Sequence, residues 1–201
     1  MSSAPRVTIL LEDQLAKGTP LANAGPTRLI KACVADWSDA LGRSEPRYEL
    51  DRRTQVVYQK GNGNVLRQCR KDSEALCNSG PVIAVLDRDR AHKLWELAGG
   101  GCRTMLLDRF SAECDSQIEL VFLEQNLETV VSCIANRLNL GPMLIEQAVK
   151  RKDLNQRDSV LNRAVGAQSL AVRQHLLHDV PSFERLIDKI CHHLGFTAPT
   201  P

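Results

Sequence analysis

The sequence predicts an α/β fold: a mostly parallel sheet of about four strands flanked by helices, with a C-terminal helical extension. Three observations carry that expectation. Short runs rich in Val, Ile and Leu recur, and three of them stop at an acidic residue. Helical apolar spacing fills the stretches between the runs. From Leu127 onward the pattern is helical and stays so. The expected division is an α/β domain over residues 1–138 and a helical extension over 139–201.

The first strand is Val7-Thr8-Ile9-Leu10-Leu11, which runs into Glu12-Asp13. A Gly- and Pro-rich loop is expected from Lys17 to Pro26, with Thr27 capping a helix over 28–41. Leu29, Ile30, Cys33, Val34, Trp37 and Leu41 would form its inner face. Residues 48–58 contain a second extended stretch, best at Gln55-Val56-Val57-Tyr58. Gly61-Asn62-Gly63-Asn64 breaks the chain before a helix over 65–77. The run Pro81-Val82-Ile83-Ala84-Val85-Leu86 is the central strand, apolar enough to be buried on both faces. A short helix over 91–97 follows, stopped by Gly99-Gly100-Gly101. Thr104-Met105-Leu106-Leu107 fits a short strand or a short helix, and Ile118-Glu119-Leu120-Val121-Phe122-Leu123 is the fourth strand. Helices are expected over 127–138, 143–151, 157–166, 170–177 and 182–194.

Composition sets bounds on function. With 26 Lys and Arg against 24 Asp and Glu, net charge +2, the overall balance neither demands nor excludes nucleic acid. Aromatics at 4% are too few for an extended base-stacking platform. No apolar run reaches membrane-spanning length and no signal-peptide pattern opens the chain, so a soluble cytoplasmic protein without a membrane partner is expected. The seven cysteines are scattered and form no C-x-x-C, which argues against a zinc site or a disulfide framework.

The chemistry is concentrated at the strand ends. Glu12 follows the first strand, Asp87 and Asp89 follow the central one, and Glu124 and Glu128 lie at and beyond the fourth. In a parallel sheet the C-terminal ends share one edge, where open α/β sheets place their ligands. Asp87 and Asp89, two residues apart, would point the same way in extended backbone. Carboxylates brought together repel unless a cation or proton sits between them, and hard oxygen ligands suit Mg²⁺ or Mn²⁺. The plainer reading of each is a solvated turn after a strand, where Asp is common.

This order of residues resembles the Toprim domain of topoisomerases, primases, ribonuclease maturases and the overcoming-lysogenization-defect nucleases of phage defence. The matching positions are Glu12 closing the first strand, the glycine-containing turn Gly61-Asn62-Gly63-Asn64, and Asp87 and Asp89 closing a later strand. The segment from Val121 to Glu128 looks like the strand-to-helix step of the nuclease-type members, with Glu128 the first candidate for its glutamate and Glu124 the second. The likeness covers residues 7–138. Asp13-Gln14 stands where the family usually has a glycine.

The resemblance implies a Toprim/Rossmann-like sheet and a divalent-metal-dependent nuclease cleaving nucleic-acid phosphodiester bonds, DNA more than RNA. Such a protein would be an anti-phage effector working with an ATPase partner, with oligomerisation left open. Glu12, Asp87 and Asp89 would hold Mg²⁺ or Mn²⁺, Glu128 would complete a second metal site or act as base, and Lys60 would reach a phosphate. The competing reading is a noncatalytic Toprim-like subunit that binds a partner protein or nucleic acid. A phosphoacceptor receiver domain, suggested by Ile9-Leu10-Leu11-Glu12-Asp13, fails because Asp87 lies too far along the chain.

Lys150, Arg151 and Lys152, with Arg157 and Arg163, form a basic stretch read either as a phosphate-backbone contact or as a solvated helix end. His192-His193 beside Cys191 are adjacent on a helix and badly placed to chelate together.

Overall fold

The computed structural model describes residues 6–43, 46–87, 103–114, 116–123, 126–150 and 153–196. Its elements are β1 (Val7–Leu11), a 3₁₀ turn (Leu21–Asn23), α1 (Gly25–Ala40), α2 (Arg47–Arg53), β2 (Thr54–Tyr58), α3 (Asn62–Lys71), α4 (Ser73–Cys77) and β3 (Val82–Asp87). Then come α5 (Arg103–Glu113), β4 (Ile118–Leu123), α6 (Asn126–Arg137), α7 (Pro142–Ile145, continued as a π-helical turn Glu146–Lys150), α8 (Leu154–Arg163), α9 (Leu170–Asp179) and α10 (Pro181–His193). The chain divides into two compact units. One takes the residues up to Gln14 with Arg52–Asn126, and the other Leu15–Asp51 with the chain from Leu127 onward.

The first unit holds the sheet. Its four strands are all parallel, in the order β2-β1-β3-β4, as the apolar runs predict. β1 pairs with β2 from Val7↔Thr54 to Leu11↔Tyr58, and with β3 from Thr8↔Val82 to Leu11↔Val85. β1 and the apolar part of β3 are buried at every residue, the pattern of strands inside a parallel sheet. Leu10, Ala84, Leu86, Leu120 and Phe122 share one core with Val65, Leu66 and Cys69 of α3 and with Leu106 and Phe110 of α5. Gly80 sets the start of β3 beside β1. Its φ is +129°, and a Cβ there would meet the Arg6 carbonyl oxygen at 2.3 Å.

The second unit is helical. α1 packs against α8 and α10, and α9 packs against α10. Leu29, Ile30, Cys33 and Val34 of α1 are buried as the helical spacing predicts, whereas Trp37 and Leu41 are only half-buried. In α10 the buried residues Phe183, Leu186, Ile187, Ile190 and Cys191 recur at helical spacing, giving one continuous apolar stripe. Burial pushes the Cys191 thiol up to about 12 and holds it neutral. Arg173 of α9 is inside as well, with a side chain 1% exposed. It makes a two-pronged ion pair with Asp36 of α1, Nε to Oδ2 at 2.5 Å and Nη2 to Oδ1 at 2.9 Å. Its Nη1 donates to the carbonyls of Ala164 and Gly166 at 2.6 and 2.8 Å.

Several boundaries differ from the sequence expectation, each for a local reason. α1 begins at Gly25 rather than beyond Thr27, because Pro26 sits in the first turn, where its fixed φ suits the helix and no N–H is lost. Thr27 is buried inside the helix, and the N-cap position is Ala24. The extended stretch expected within 48–58 is β2 at Thr54–Tyr58, and the residues before it, up to Arg53, form α2. The helix expected over 65–77 starts at Asn62 and is interrupted at Asp72 (φ −113°), giving α3 and α4. Residues 104–107 are helical, within α5. α8 starts before Arg157 because Asp153 caps it, accepting from the backbone N–H groups of Asn155 and Gln156 at 3.0 and 3.2 Å. The helix expected over 91–97, with the glycines after it, lies outside the described residues. Among the described residues, no helix is long and apolar enough to cross a membrane.

Candidate metal centre

The strand order explains why two of the predicted acidic strand ends meet. β2 lies on one side of β1 and β3 on the other, so the order reverses between β1 and β3. Such a switch point opens a crevice at the carboxyl ends of the strands, where open parallel sheets bind their ligands. Glu12 is the first residue after β1, and Asp87 is the last of β3. The two flank the switch point, and both are half-buried.

A lattice of hydrogen bonds fixes this edge. Asp87 N–H donates to Glu12 Oε2 at 3.1 Å and is shared with Asn62 Oδ1 at 3.2 Å. Asn62 Nδ2 donates back to the Asp87 carbonyl at 3.1 Å. One buried amide, 4% exposed, therefore holds both polar groups of Asp87's main chain. The turn from β2 into α3 is tied to the same place. The N–H groups of Gln59, Lys60 and Gly61 donate to the carbonyls of Leu11 (2.9 Å), Asp13 (3.2 Å) and Glu12 (2.6 Å).

That turn needs unusual backbone. Gly61 has φ +116° and ψ 152°, a region only glycine occupies without strain. Lys60 is left-handed at φ 55°, a conformation uncommon outside glycine, and its carbonyl accepts from Asn64 Nδ2 at 3.1 Å. The turn thus brings an exposed lysine to the edge that carries Glu12. Asn62 was legible only as part of a chain break. Its role depends on the β2-β1-β3 adjacency, which a single sequence does not reveal.

Asn62→Ala is expected to lower unfolding free energy by about 1–3 kcal/mol, because it removes the buried amide that bonds the Asp87 carbonyl and shares its N–H. Urea denaturation measures this. Asn64→Ala, on the rim of the same turn, is the control and should cost much less.

The other predicted residues are placed as follows. Asp89, Glu124, Arg151 and Lys152 lie outside the described residues. Glu128 is in the first turn of α6, where a carboxylate suits the positive end of the helix dipole, and it belongs to the second unit. Lys150 closes the π-helical turn after α7. Arg157 was expected on a basic surface and is instead 6% exposed. Its guanidinium lies 3.2 Å from the Asp158 carboxylate, an internal pair that removes it from any phosphate-binding face. The His192 and His193 rings sit edge to face, with centroids 5.7 Å apart.

Glu12 and Asp87 supply only carboxylate oxygen, the donor chemistry of Mg²⁺ and Mn²⁺ rather than of zinc. The donor chemistry of the two side chains suits such an ion. Among the described residues no group of three or more His, Cys, Asp and Glu forms a cation site, and Asp89 follows Asp87 just beyond them. No protein-family model, curated protein or solved structure matches this chain.

Proposed function

We propose that the chain is a Toprim-type, divalent-metal-dependent nuclease that hydrolyses nucleic-acid phosphodiester bonds, acting on DNA in preference to RNA. The observation that carries this reading is the contact between Asp87 N–H and Glu12 Oε2, which joins the two acidic strand ends at the switch point of a parallel sheet. Glu12 and Asp87, with Asp89 following, would hold Mg²⁺ or Mn²⁺. The bound ion supplies charge stabilisation at the scissile phosphate and a water acidic enough to attack near neutral pH.

The chain's own residues do the positioning. Asp87 N–H orients the Glu12 carboxylate, and Asn62 locks the Asp87 peptide, so the acidic groups need little reorganisation to take up a cation. Lys60 sets a positive charge beside the same edge, suited to a phosphate oxygen. Lys150, Arg151 and Lys152 would serve as backbone-phosphate contacts. The setting would be a cytoplasmic anti-phage effector acting with an ATPase partner.

A noncatalytic Toprim-like subunit is the second reading. It is favoured by Asp13, which occupies the place after Glu12 where the family has glycine. Incubating plasmid, linear DNA and RNA with Mn²⁺ or Mg²⁺, with and without an ATPase partner, separates the two. Metal-dependent cleavage supports the first reading, and its complete absence supports the second.

A further inference from the structure

Away from the sheet, the helical unit contains a recess of about 210 Å³ between α1, α2 and the turn after α8, lined by Ala22, Arg28, Lys31, Ala32, Ala35, Arg47, Leu50, Asp51 and Val165. Its composition is divided. Ala32, Ala35 and Leu50 are buried and form an apolar floor, with half-buried Val165 beside them. The rim carries three cations, Arg28, Lys31 and Arg47, against one carboxylate, Asp51.

Two of the cations are held in position, one from outside the recess and one from its own lining. Arg28 Nη1 donates to Asn162 Oδ1 at 3.0 Å. Lys31 Nζ lies 3.1 Å from the Asp51 carboxylate and donates to the Asp51 carbonyl at 3.1 Å. After that ion pair, the two guanidinium groups remain as the net charge of the rim.

From this geometry we infer that the recess is a binding site for a small organic phosphate with a flat apolar body, of which a nucleoside monophosphate is the simplest probe. Two arginines at the mouth of a concave site match the paired oxygens of a phosphate, which a guanidinium binds through two parallel hydrogen bonds. The alanines offer no side chain beyond Cβ, so the floor accepts a planar ring lying on α1. The recess is smaller than the roughly 300–1,000 Å³ of drug-sized pockets, so it would take the phosphate and the near part of the body, leaving the rest in solvent. A basic surface that merely solvates itself would spread its charges over a convex face. Here they rim a hollow with an apolar base. The inference is independent of the sheet-edge reading, because it uses no residue of that edge.

The phosphate could belong to a free nucleotide or to the end of a nucleic-acid strand, and the test separates these sources. Adenosine monophosphate, adenosine, inorganic phosphate and a 5′-phosphorylated oligonucleotide are titrated into the full chain by calorimetry, without divalent metal. Saturable binding of adenosine monophosphate is expected, with adenosine and inorganic phosphate each at least about tenfold weaker, since each lacks one half of the recognition. Arg28→Gln and Arg47→Gln should each weaken binding by about tenfold, Ala22→Trp should block the mouth, and Asp51→Asn should tighten binding by removing the one opposing charge.

An oligonucleotide that binds more tightly than the free nucleotide assigns the site to strand ends. One that binds less tightly assigns it to free nucleotides. Failure of the nucleotide and the oligonucleotide alike to saturate overturns the inference. So does nucleotide binding unchanged in both arginine variants, or adenosine binding as tightly as its phosphate. Arg47 and Asp51 are exposed, so their variants remain informative if Ala22→Trp misfolds.

Discussion

Asp87→Asn should lower metal-dependent cleavage by about a thousandfold or more, several kcal/mol of transition-state stabilisation, while leaving the chain folded. The separation of the two effects follows from which atoms are held. Asn62 and Glu12 bond the peptide N–H and carbonyl of Asp87, not its side chain, so those bonds survive the substitution. Glu12→Gln is the complementary variant. Its amide oxygen can still accept from the Asp87 N–H, so geometry persists while the charge is lost, and cleavage should fall without a matching loss of stability. Asp89→Ala should also abolish cleavage. Single-turnover cleavage rates, read with urea denaturation of each variant, measure both quantities. Cleavage that persists in Asp87→Asn and Asp89→Ala would place the active site elsewhere.

The largest effect on stability is expected at Arg173. Arg173→Met should lower unfolding free energy by about 3–5 kcal/mol, since it leaves Asp36 without its ion-pair partner and removes the donors to two carbonyls. Pairing it with Asp36→Leu should recover part of that loss, because no carboxylate then remains beside an apolar group. The carbonyls of Ala164 and Gly166 lose their donor in either variant, so recovery should be incomplete. Chemical denaturation of the two single variants and the double variant provides the cycle. A fully additive double variant would contradict the ion pair's structural role.

Legibility differed between the sheet and the helical unit for physical reasons. Strands inside a parallel sheet must be apolar on both faces, so β1 and β3 stand out as mostly apolar runs, and edge strand β4 does too apart from Glu119. Their ends are equally plain, because Glu12 and Asp87 are the first polar side chains after those runs. α2 was hidden because Tyr48 and Leu50 suit strand and helix alike. α1 looked late because Gly25-Pro26 reads as a breaker, whereas proline in the first helical turn is favourable. That α1 packs with α8 and α10 depends on contacts more than a hundred residues apart in the chain, which apolar spacing cannot specify. Arg173 was illegible for a related reason: an arginine is buried only where a partner waits, and Asp36 lies far away in sequence. Asn62 is the corresponding case at the sheet edge.

The central claim is that the acidic strand ends at the switch point bind a divalent cation. Titration calorimetry of Mn²⁺ into the wild-type chain and into the Asp87→Asn, Asp89→Asn double variant tests it without any substrate. A saturable site is expected in the wild type and lost in the double variant, and a Mn²⁺-induced rise in melting temperature should disappear with it. Equal Mn²⁺ affinity in the two proteins would contradict it.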